Sequence, residues 1–192
     1  MTAERARDRH PRNAPLGDPD AEAVRAAQAD RAAFGTLYRR YLDRIYGYAF
    51  YQLGDHHDAE DATERTFLAA LAGLGSFHDE GAGFRAWLFR IAHNTVANAH
   101  RSRSRRRTAP MPEGFERPAP DADPAGLVTR AEELRRVLAA LDTLPADRRQ
   151  VVLLRFVDGL SSAEVGQVLG RSPGAVRVLL HRALRDLASR LA

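Results

Sequence analysis

Large apolar residues recur at helical spacing along most of this chain, and this periodicity restricts the fold more than any other feature. One stripe comprises Phe34, Leu37, Tyr38, Tyr41, Ile45 and Ala49, and another comprises Phe84, Trp87, Leu88, Ile91, Ala92, Thr95, Val96 and Ala99. Spacing of i, i+3, i+4 and i+7 is typical of amphipathic helices. Another helix is predicted over 58–72, and no segment alternates convincingly with the period of two that indicates a strand. The sequence therefore predicts an all-α protein.

The C-terminal part carries the signals of a helix-turn-helix. After a predicted helix over 147–157, Ser161 and Glu164 have the spacing of a capping box and start a helix that ends before Gly170. Ser172 caps the next helix and Pro173 occupies its first position, where proline is tolerated. Two short helices joined by a tight turn are typical of this DNA-binding motif.

The last predicted helix, which extends to about residue 190, separates apolar from basic residues. Its expected buried face comprises Val176, Leu179, Leu180, Ala183, Leu184, Leu187 and Leu191. Arg177, His181 and Arg185 follow at intervals of four on the other side, beside Val178. In the major groove, Arg can contact guanine and an apolar side chain can contact the thymine methyl group. An ordinary amphipathic helix with a solvated basic side is the alternative; the capped helix pair favours DNA binding.

Charge divides the chain into segments of different character. Residues 54–64 contain five acidic residues and no Arg, whereas 85–107 contain seven Arg and no acid. Residues 108–128 contain four acids, one Arg and five of the ten prolines, which is typical of an extended acidic linker. We therefore expect a disordered tail over 1–20, a first helical domain over 21–107, a flexible linker over 108–128 and a second domain over 129–192.

The Arg-rich helix that starts near Phe84 has a polar far face with Arg90, His93, Asn94 and Arg101. Aromatic residues beside Arg suit stacking on unpaired bases and contact with a phosphate backbone. Core packing is the simpler interpretation of Phe84 and Trp87, whereas Phe89 lies off the apolar stripe, so its exposure is left open.

Composition excludes several classes of protein. The chain has no Cys, so it has no disulfide, thiolate metal site or cysteine nucleophile. The charged N-terminus lacks the apolar run of a signal peptide, and no apolar stretch approaches the length of about 20 residues that a membrane helix needs. We expect a cytoplasmic protein without membrane association, with no metal site and no cofactor.

Four motifs, the last of them in three pieces, resemble in order the extracytoplasmic-function (ECF) sigma factors of bacterial RNA polymerase, which belong to the sigma-70 family. Residues 34–41 resemble the start of sigma region 2, 58–67 its polymerase-binding motif and 84–94 the segment that melts and reads the −10 promoter element. Residues 144–145, 155–160 and 174–183 resemble region 4, which reads the −35 element. The resemblance covers nearly everything from about 25 to 190, and the Val-Arg-Val-Leu form of the last segment resembles actinobacterial members.

The resemblance implies roles for individual residues. Core polymerase would be contacted by Asp58, Asp61, Glu64 and Phe67, in the motif that grips the coiled-coil of the β′ subunit, and the β subunit is a further expected partner. The −10 DNA would be contacted by Arg90, His93, Asn94, Asn98 and Arg101, with a flipped base in the loop over 75–83. The −35 DNA would be contacted by Arg171, Arg177, Val178, His181 and Arg182. Many relatives are held inactive by an anti-sigma factor, so the resemblance adds an anti-sigma factor to the candidate partners, and the sequence leaves open whether this chain has one.

The sequence departs from the family pattern at two of these places. Glu64 stands where Gln is frequent, which alters a polymerase contact. Arg177, Val178 and Leu179 stand where Lys-Ser-Arg is frequent, so the −35 sequence read by the general pattern does not transfer. The acidic linker replaces a region 3 domain, and in this family such a linker is thought to run through the RNA-exit path.

Two other functions compete with this interpretation. A conventional helix-turn-helix regulator would bind DNA as a dimer without polymerase, but it leaves the acidic segment and the linker unexplained. His57 and Asp58 form the dipeptide of metal-dependent HD phosphohydrolases, yet no second His-rich segment supplies the remaining ligands. No glycine-rich phosphate loop or nucleophile elbow is present either, so we expect no catalytic residue.

Overall fold

A computed structural model of the chain describes residues 18–106 and 139–191. Its helices with both ends described are α1 (Ala21–Ala29), α2 (Phe34–Leu53), α3 (His56–Gly73), α4 (Gly83–Arg106), α5 (Ala146–Val152), α6 (Ser162–Leu169) and α7 (Pro173–Leu191), and residues 139–142 are helical as well. Helical turns occur at Arg31–Ala33 and Leu74–Ser76, and no strand occurs in these two described ranges. The all-α prediction is confirmed. The tail over 1–17, residues 107–138 with the whole of the expected linker and the start of the expected second domain, and the side chains of 104–106 and of Leu191 lie outside what is described.

The first domain is built on contacts of α2 with α3 and α4. Leu37 and Ile45 of α2 and Leu88 of α4 are fully buried, as the helical spacing of the apolar residues predicts. Phe84 and Phe89 are also fully buried, and the Phe89 ring meets that of Tyr48 edge-on at 5.7 Å. Phe89 therefore belongs to the core. Burial of each such side chain contributes about 1.5–3 kcal/mol to folding.

The segment before α2 contributes contacts that the sequence analysis did not identify. Asp20 is 1% exposed and accepts hydrogen bonds from Arg40 and from the Tyr41 hydroxyl. The Asp18 carboxylate accepts from the backbone N–H of Phe84 at 2.7 Å and so caps the start of α4. Burial, reinforced by Asp20, raises the pKa of Tyr41 far above its usual range. These contacts join α1 to α2 and α4.

The second domain contains the predicted helix-turn-helix, α6 and α7. Ser161 and Glu164 form the capping box, Gly170 ends α6 in the left-handed conformation at φ 63°, and the Ser172 hydroxyl accepts from Ala175 N–H at 3.2 Å. Helix α5 ends earlier than predicted, because Leu153–Val157 form a π-helical turn.

Leu184 was expected on the buried face of α7, and this expectation is wrong because Leu184 is 42% exposed. The contact of α7 with α5 runs along Leu180, Ala183 and Leu187. Leu184 follows Ala183 by one position, about 100° further around the helix, and so faces solvent.

The two domains pack directly on each other. Val151, Leu154, Leu160 and Val165 of the second domain lie in the same buried apolar cluster as the core of the first. An ion pair joins Arg85 to Glu164, and Arg44 donates to the backbone carbonyl of Asp158. Helical periodicity predicts both domains, but it does not predict this contact between them.

Candidate nucleic-acid and protein interfaces

The acidic residues of 54–64 lie on the outer side of α3 and near its start. Asp55 caps the helix by accepting from Asp58 N–H at 2.9 Å. Asp61 is 54% exposed and pairs with Arg65 one turn later at 2.9 Å, and Glu64 is exposed beside it. Asp58 is partly covered, with Arg103 of α4 at 3.5 Å from its carboxylate. Asp61 and Glu64 therefore present negative charge to solvent, which would repel DNA.

An apolar groove of about 530 Å³ lies between α2 and α3, next to these acids. Phe67 was expected to contact polymerase, but it is only 5% exposed and its ring packs against Tyr38 at 4.7 Å. It forms the floor of the groove. Among the residues that line the groove, Leu68, at 58% exposure, and Tyr38, at 40%, are exposed apolar side chains. The sequence analysis did not identify Leu68. It could have been recognised because it lies off the buried stripe of α3, where a large apolar side chain has no contact with the core.

The outer side of α4 holds four of the five predicted −10 residues in exposed positions. Arg90, Asn94, Asn98 and Arg101 follow one another at intervals of four, four and three, which places them along one helix face. Arg101 donates to the Asn98 side-chain oxygen at 2.5 Å. This face offers donors and acceptors without a carboxylate among them.

His93, the fifth of these residues, is half-buried rather than exposed. Its Nδ1 lies 3.0 Å from the Gln150 amide nitrogen and 3.2 Å from the Tyr48 hydroxyl. Burial lowers the pKa of His93, so the neutral imidazole is favoured. Gln150 belongs to the second domain, so the domain contact covers this part of the predicted −10 surface.

The loop between α3 and α4 is held in a defined shape. The Asp79 carboxylate accepts from the N–H groups of Gly81 and Gly83 at 2.8 Å each, and both glycines have positive φ. The Gln28 amide donates to the Phe77 carbonyl at 2.8 Å. The loop borders a polar pocket of about 190 Å³ whose other lining residues include Trp87, Arg90 and Gln167. Trp87 is partly buried and packs on Phe77 at 4.8 Å between ring centres, so it is both core and pocket wall.

The predicted −35 residues lie together on the solvent side of the helix-turn-helix. Arg171, Arg177, His181 and Arg182 are exposed, and Val178 is 50% exposed although it is apolar. The caps of α6 and α7 fix where these helices begin. Burial of Val176 and Ala183 on the opposite side of α7 turns these side chains toward solvent. An exposed helix with Arg at such positions fits a major groove.

Over 18–106 and 139–191, no helix is long and apolar enough to cross a membrane. In the same described residues, no three His, Cys, Asp or Glu side chains are grouped so that they could hold a metal ion. His56, near the HD dipeptide, instead contacts the Tyr46 hydroxyl at 2.5 Å and stacks on Phe50.

Two sequence-family models match the chain, in the order that the motifs predict. "Sigma-70 region 2" matches 37–106 and "Sigma-70, region 4" matches 134–187. The first match covers α4 and the acidic helix α3, and the second covers the helix-turn-helix.

Similar proteins carry the same family name. The ECF RNA polymerase sigma factor BldN of Streptomyces coelicolor is 38% identical over 179 residues, which is 91% of this chain and 68% of BldN. The ECF RNA polymerase sigma factor SigE of Mycolicibacterium smegmatis is 35% identical over 182 residues, 93% of this chain and 70% of SigE. The sigma factor RpoE, in its co-crystal structure with the anti-sigma factor NepR from Bartonella quintana, has a TM-score of 0.65 and 25% identity, covering 82% of this chain and 96% of RpoE. The chain thus belongs to the ECF sigma factors, the transcription initiation factors of bacterial RNA polymerase that carry sigma regions 2 and 4.

Proposed function

We propose that this chain binds core RNA polymerase through α3, directs it to promoters by contacts of α7 with the −35 element, and opens the −10 element with α4 and the loop before it. One observation supports this division of roles above all. The same chain exposes an acidic face on α3, which repels DNA, and Arg-bearing faces on α4 and α7, which attract it. The chain acts in the cytoplasm as a polymerase subunit, requires no cofactor and catalyses no reaction.

The polymerase contact is assigned to Asp61 and Glu64 together with the neighbouring groove. Exposed carboxylates beside an apolar groove suit a helical partner that has a basic edge and an apolar stripe. Phe67 supports the groove from below, while Leu68 and Tyr38 provide its exposed apolar surface. Asp58 contributes less to the polymerase contact, because Arg103 already covers its carboxylate. The β′ subunit is the proposed partner of this surface, and β is the second polymerase contact.

The −10 contact is assigned to Arg90, Asn94, Asn98 and Arg101, with His93 becoming available when the second domain moves away. Asn side chains suit base edges, while Arg suits phosphates. The pocket beside the loop at Asp79 is the proposed place for an unstacked base. Unstacking costs a few kcal/mol, which contacts in a fitted pocket offset.

The −35 contact is assigned to Arg177, Val178 and His181 at base edges, and to Arg171 and Arg182 at the phosphates. Each domain alone offers a small contact area, so the free chain binds promoter DNA weakly. Polymerase holds both domains on one promoter, which raises the effective concentration of the second contact. RpoE was crystallised with an anti-sigma factor, and we propose that this chain also has an anti-sigma partner.

The polymerase contact is tested by co-elution of the purified chain with sigma-free core polymerase in size-exclusion chromatography. We expect the wild type to co-elute and Asp61→Arg to lose at least roughly tenfold in affinity, equivalent to about 1.4 kcal/mol. Glu22→Arg makes the same charge change at an exposed position of α1 and is expected to co-elute like the wild type.

Failure of the wild type to associate with core would refute the sigma assignment. A gel shift on genomic fragments without polymerase would then test a conventional helix-turn-helix regulator, which binds its operator alone. If Asp61→Arg and Glu22→Arg weaken binding to core polymerase equally, the polymerase contact lies elsewhere on the chain.

The −35 contact is tested by run-off transcription from promoters selected with the wild-type holoenzyme. Arg177→Ala is expected to lower transcription about tenfold at saturating core, since a base contact of this kind contributes about 1–3 kcal/mol. Co-elution with core is expected to be unchanged, because Arg177 lies on α7 and the proposed polymerase contact is on α3. Unchanged transcription by Arg177→Ala would remove this side chain from promoter recognition.

A further inference from the structure

The loop between α3 and α4, which borders the polar pocket, is tied at both of its ends to the segment over 18–28. At the first end, Gln28 of α1 donates from Nε2 to the carbonyl oxygens of Leu74 and Phe77, at 3.0 and 2.8 Å. At the second end, the Asp18 carboxylate accepts from the Phe84 N–H at 2.7 Å. These three hydrogen bonds span 46 to 66 positions of sequence, so they tie the loop to a distant part of the chain.

Asp18 is itself fixed in place. Its Oδ1 accepts from the Asp20 N–H at 3.0 Å, and its backbone carbonyl accepts from the Ala21 N–H at 3.0 Å. Asp20 is 1% exposed and binds Arg40 and the Tyr41 hydroxyl of α2. The carboxylate that meets the start of α4 is therefore carried by a turn that α2 anchors in the core.

Gly83 lets Asp18 approach the end of the loop closely. It has a φ of 76°, and a Cβ added there would sit 3.0 Å from the Asp18 carboxyl carbon. Successive N–H groups bind two different carboxylates here, because Gly83 donates to Asp79 at 2.8 Å and Phe84 donates to Asp18. Asp79 thus sets the shape of the loop, and Asp18 ties that shape to the rest of the domain.

The tied residues also form walls of the pocket. Phe77, whose carbonyl Gln28 holds, packs its ring on Trp87 at 4.8 Å between ring centres. Phe77 and Trp87 line the pocket, and so does Gly83 at the other end of the loop. Asp18 and Gln28 lie outside this lining, so they act on a bound base through the loop. A displacement of about 1 Å is enough to weaken a fitted site.

We propose that Asp18 and Gln28 are positioning residues for promoter opening, which hold the loop in the shape that accepts an unstacked base of the −10 element. This inference rests on the proposed function and extends it to residues that precede the sigma-70 region 2 match at 37–106. A pocket offsets the cost of unstacking best when its walls are in place before the base arrives. The segment over 18–28 therefore contributes to −10 recognition.

Substitutions at the two ends of the loop separate positioning from general stabilisation. Gln28→Ala removes both donors at the first end, and alanine favours the helix in which it lies. Asp18→Ala removes the acceptor at the second end, whereas Asp18→Asn keeps an oxygen that can cap α4. Glu22→Ala, a truncation at an exposed position of α1, is the matched control.

The first measurement uses the free chain. Trp87 is the single Trp of the sequence, so its fluorescence reports on the pocket wall without a label. Gln28→Ala combined with Asp18→Ala is expected to raise acrylamide quenching of Trp87, because the Phe77 ring is then released, while the circular dichroism spectrum stays the same. Asp18→Asn and Glu22→Ala are expected to be quenched like the wild type.

The second measurement uses the holoenzyme and single-stranded −10 DNA, from promoters selected with the wild type, in which one position at a time is abasic. At one position, the wild type is expected to lose about tenfold in affinity, because stacking of a base contributes that much. In the double variant we expect this abasic penalty to shrink at least roughly fivefold, since three hydrogen bonds that hold the loop are gone. A merely structural role would weaken binding to intact and abasic DNA alike and leave the penalty unchanged.

The outcomes distinguish this inference from the proposed function. Unchanged quenching of Trp87, or an abasic penalty that the double variant retains, would overturn the positioning role even if the chain co-elutes with core. If Asp18→Ala unfolds the chain, Gln28→Ala alone is measured and the same two results decide. A wild-type chain that does not associate with core would overturn the proposed function, and the positioning role with it.

Discussion

Gly166→Ala is expected to destabilise the helix-turn-helix by about 3 kcal/mol, the upper part of the usual range for overpacking. Gly166 lies in α6 and is buried, and a Cβ added there would sit 2.5 Å from the backbone carbonyl oxygen of Arg171. The obstacle is backbone, so no side-chain rotation relieves it. The same turn is held by the Gly166 carbonyl, which accepts from Arg171 N–H at 2.8 Å. Moving the turn away therefore also breaks a hydrogen bond.

Thermal unfolding followed by circular dichroism measures this effect, with a fall in Tm of roughly 10 °C expected. Gly47→Ala is the matched control. Gly47 is exposed within α2, and apart from the adjacent residues and the backbone of its own helix no atom lies within 4 Å of the added Cβ. Alanine there should stabilise the chain by about 0.5–1 kcal/mol, because it lowers the entropy of the unfolded state. A Gly166→Ala chain as stable as the Gly47→Ala chain would contradict the close approach of α6 and its turn.

Local sequence rules predict the helix-turn-helix because its determinants are local. The capping box of Ser161 and Glu164, the left-handed Gly170 and the cap at Ser172 all act within four residues of their own position. Each was readable from spacing alone. The π-helical turn at Leu153–Val157 was not, because it has the same composition as a regular helix end.

Contacts between distant segments account for what sequence reasoning missed. Asp20 binds Arg40 and Tyr41 of α2, and Asp18 caps α4 across 66 positions of sequence. Periodicity shows which face of a helix is apolar, but it does not show which partner covers that face. The packing of the second domain on the first is the largest example of this limit.

For the same reason, only part of the proposed site could be predicted from the sequence. Periodicity predicts the exposed positions of α4 and α7, since a polar face follows from an apolar stripe. It does not predict that Gln150 covers His93, or that Phe67 lies beneath Tyr38. Both depend on a neighbouring helix whose orientation is fixed only by tertiary packing.

Asp158 gives the stability of the chain a pH dependence that can be assigned to one residue. Asp158 is 3% exposed, and burial raises the pKa of its carboxyl to about 7, although Arg44 and Arg85 of the first domain oppose the shift. In the unfolded chain the same carboxyl ionises near pH 4. The folded state therefore holds a proton that the unfolded state releases. This contribution to stability is fully present below about pH 4 and is lost as the pH rises to about 7.

Asp158→Asn is accordingly expected to be more stable than the wild type by on the order of 3 kcal/mol at pH 8, with the difference shrinking as the pH falls toward 4. Urea unfolding of both proteins between pH 4.5 and pH 8 measures it. His93, whose pKa burial lowers, and Glu164 titrate in both proteins, so their contributions cancel in the difference. The pKa of Glu164 is lowered because hydrogen bonds from Ser161 and the Arg85 charge outweigh its burial. The two proteins differ only in whether residue 158 can ionise. If their free energies of unfolding change with pH in parallel across this range, Asp158 is not the group that causes the pH dependence.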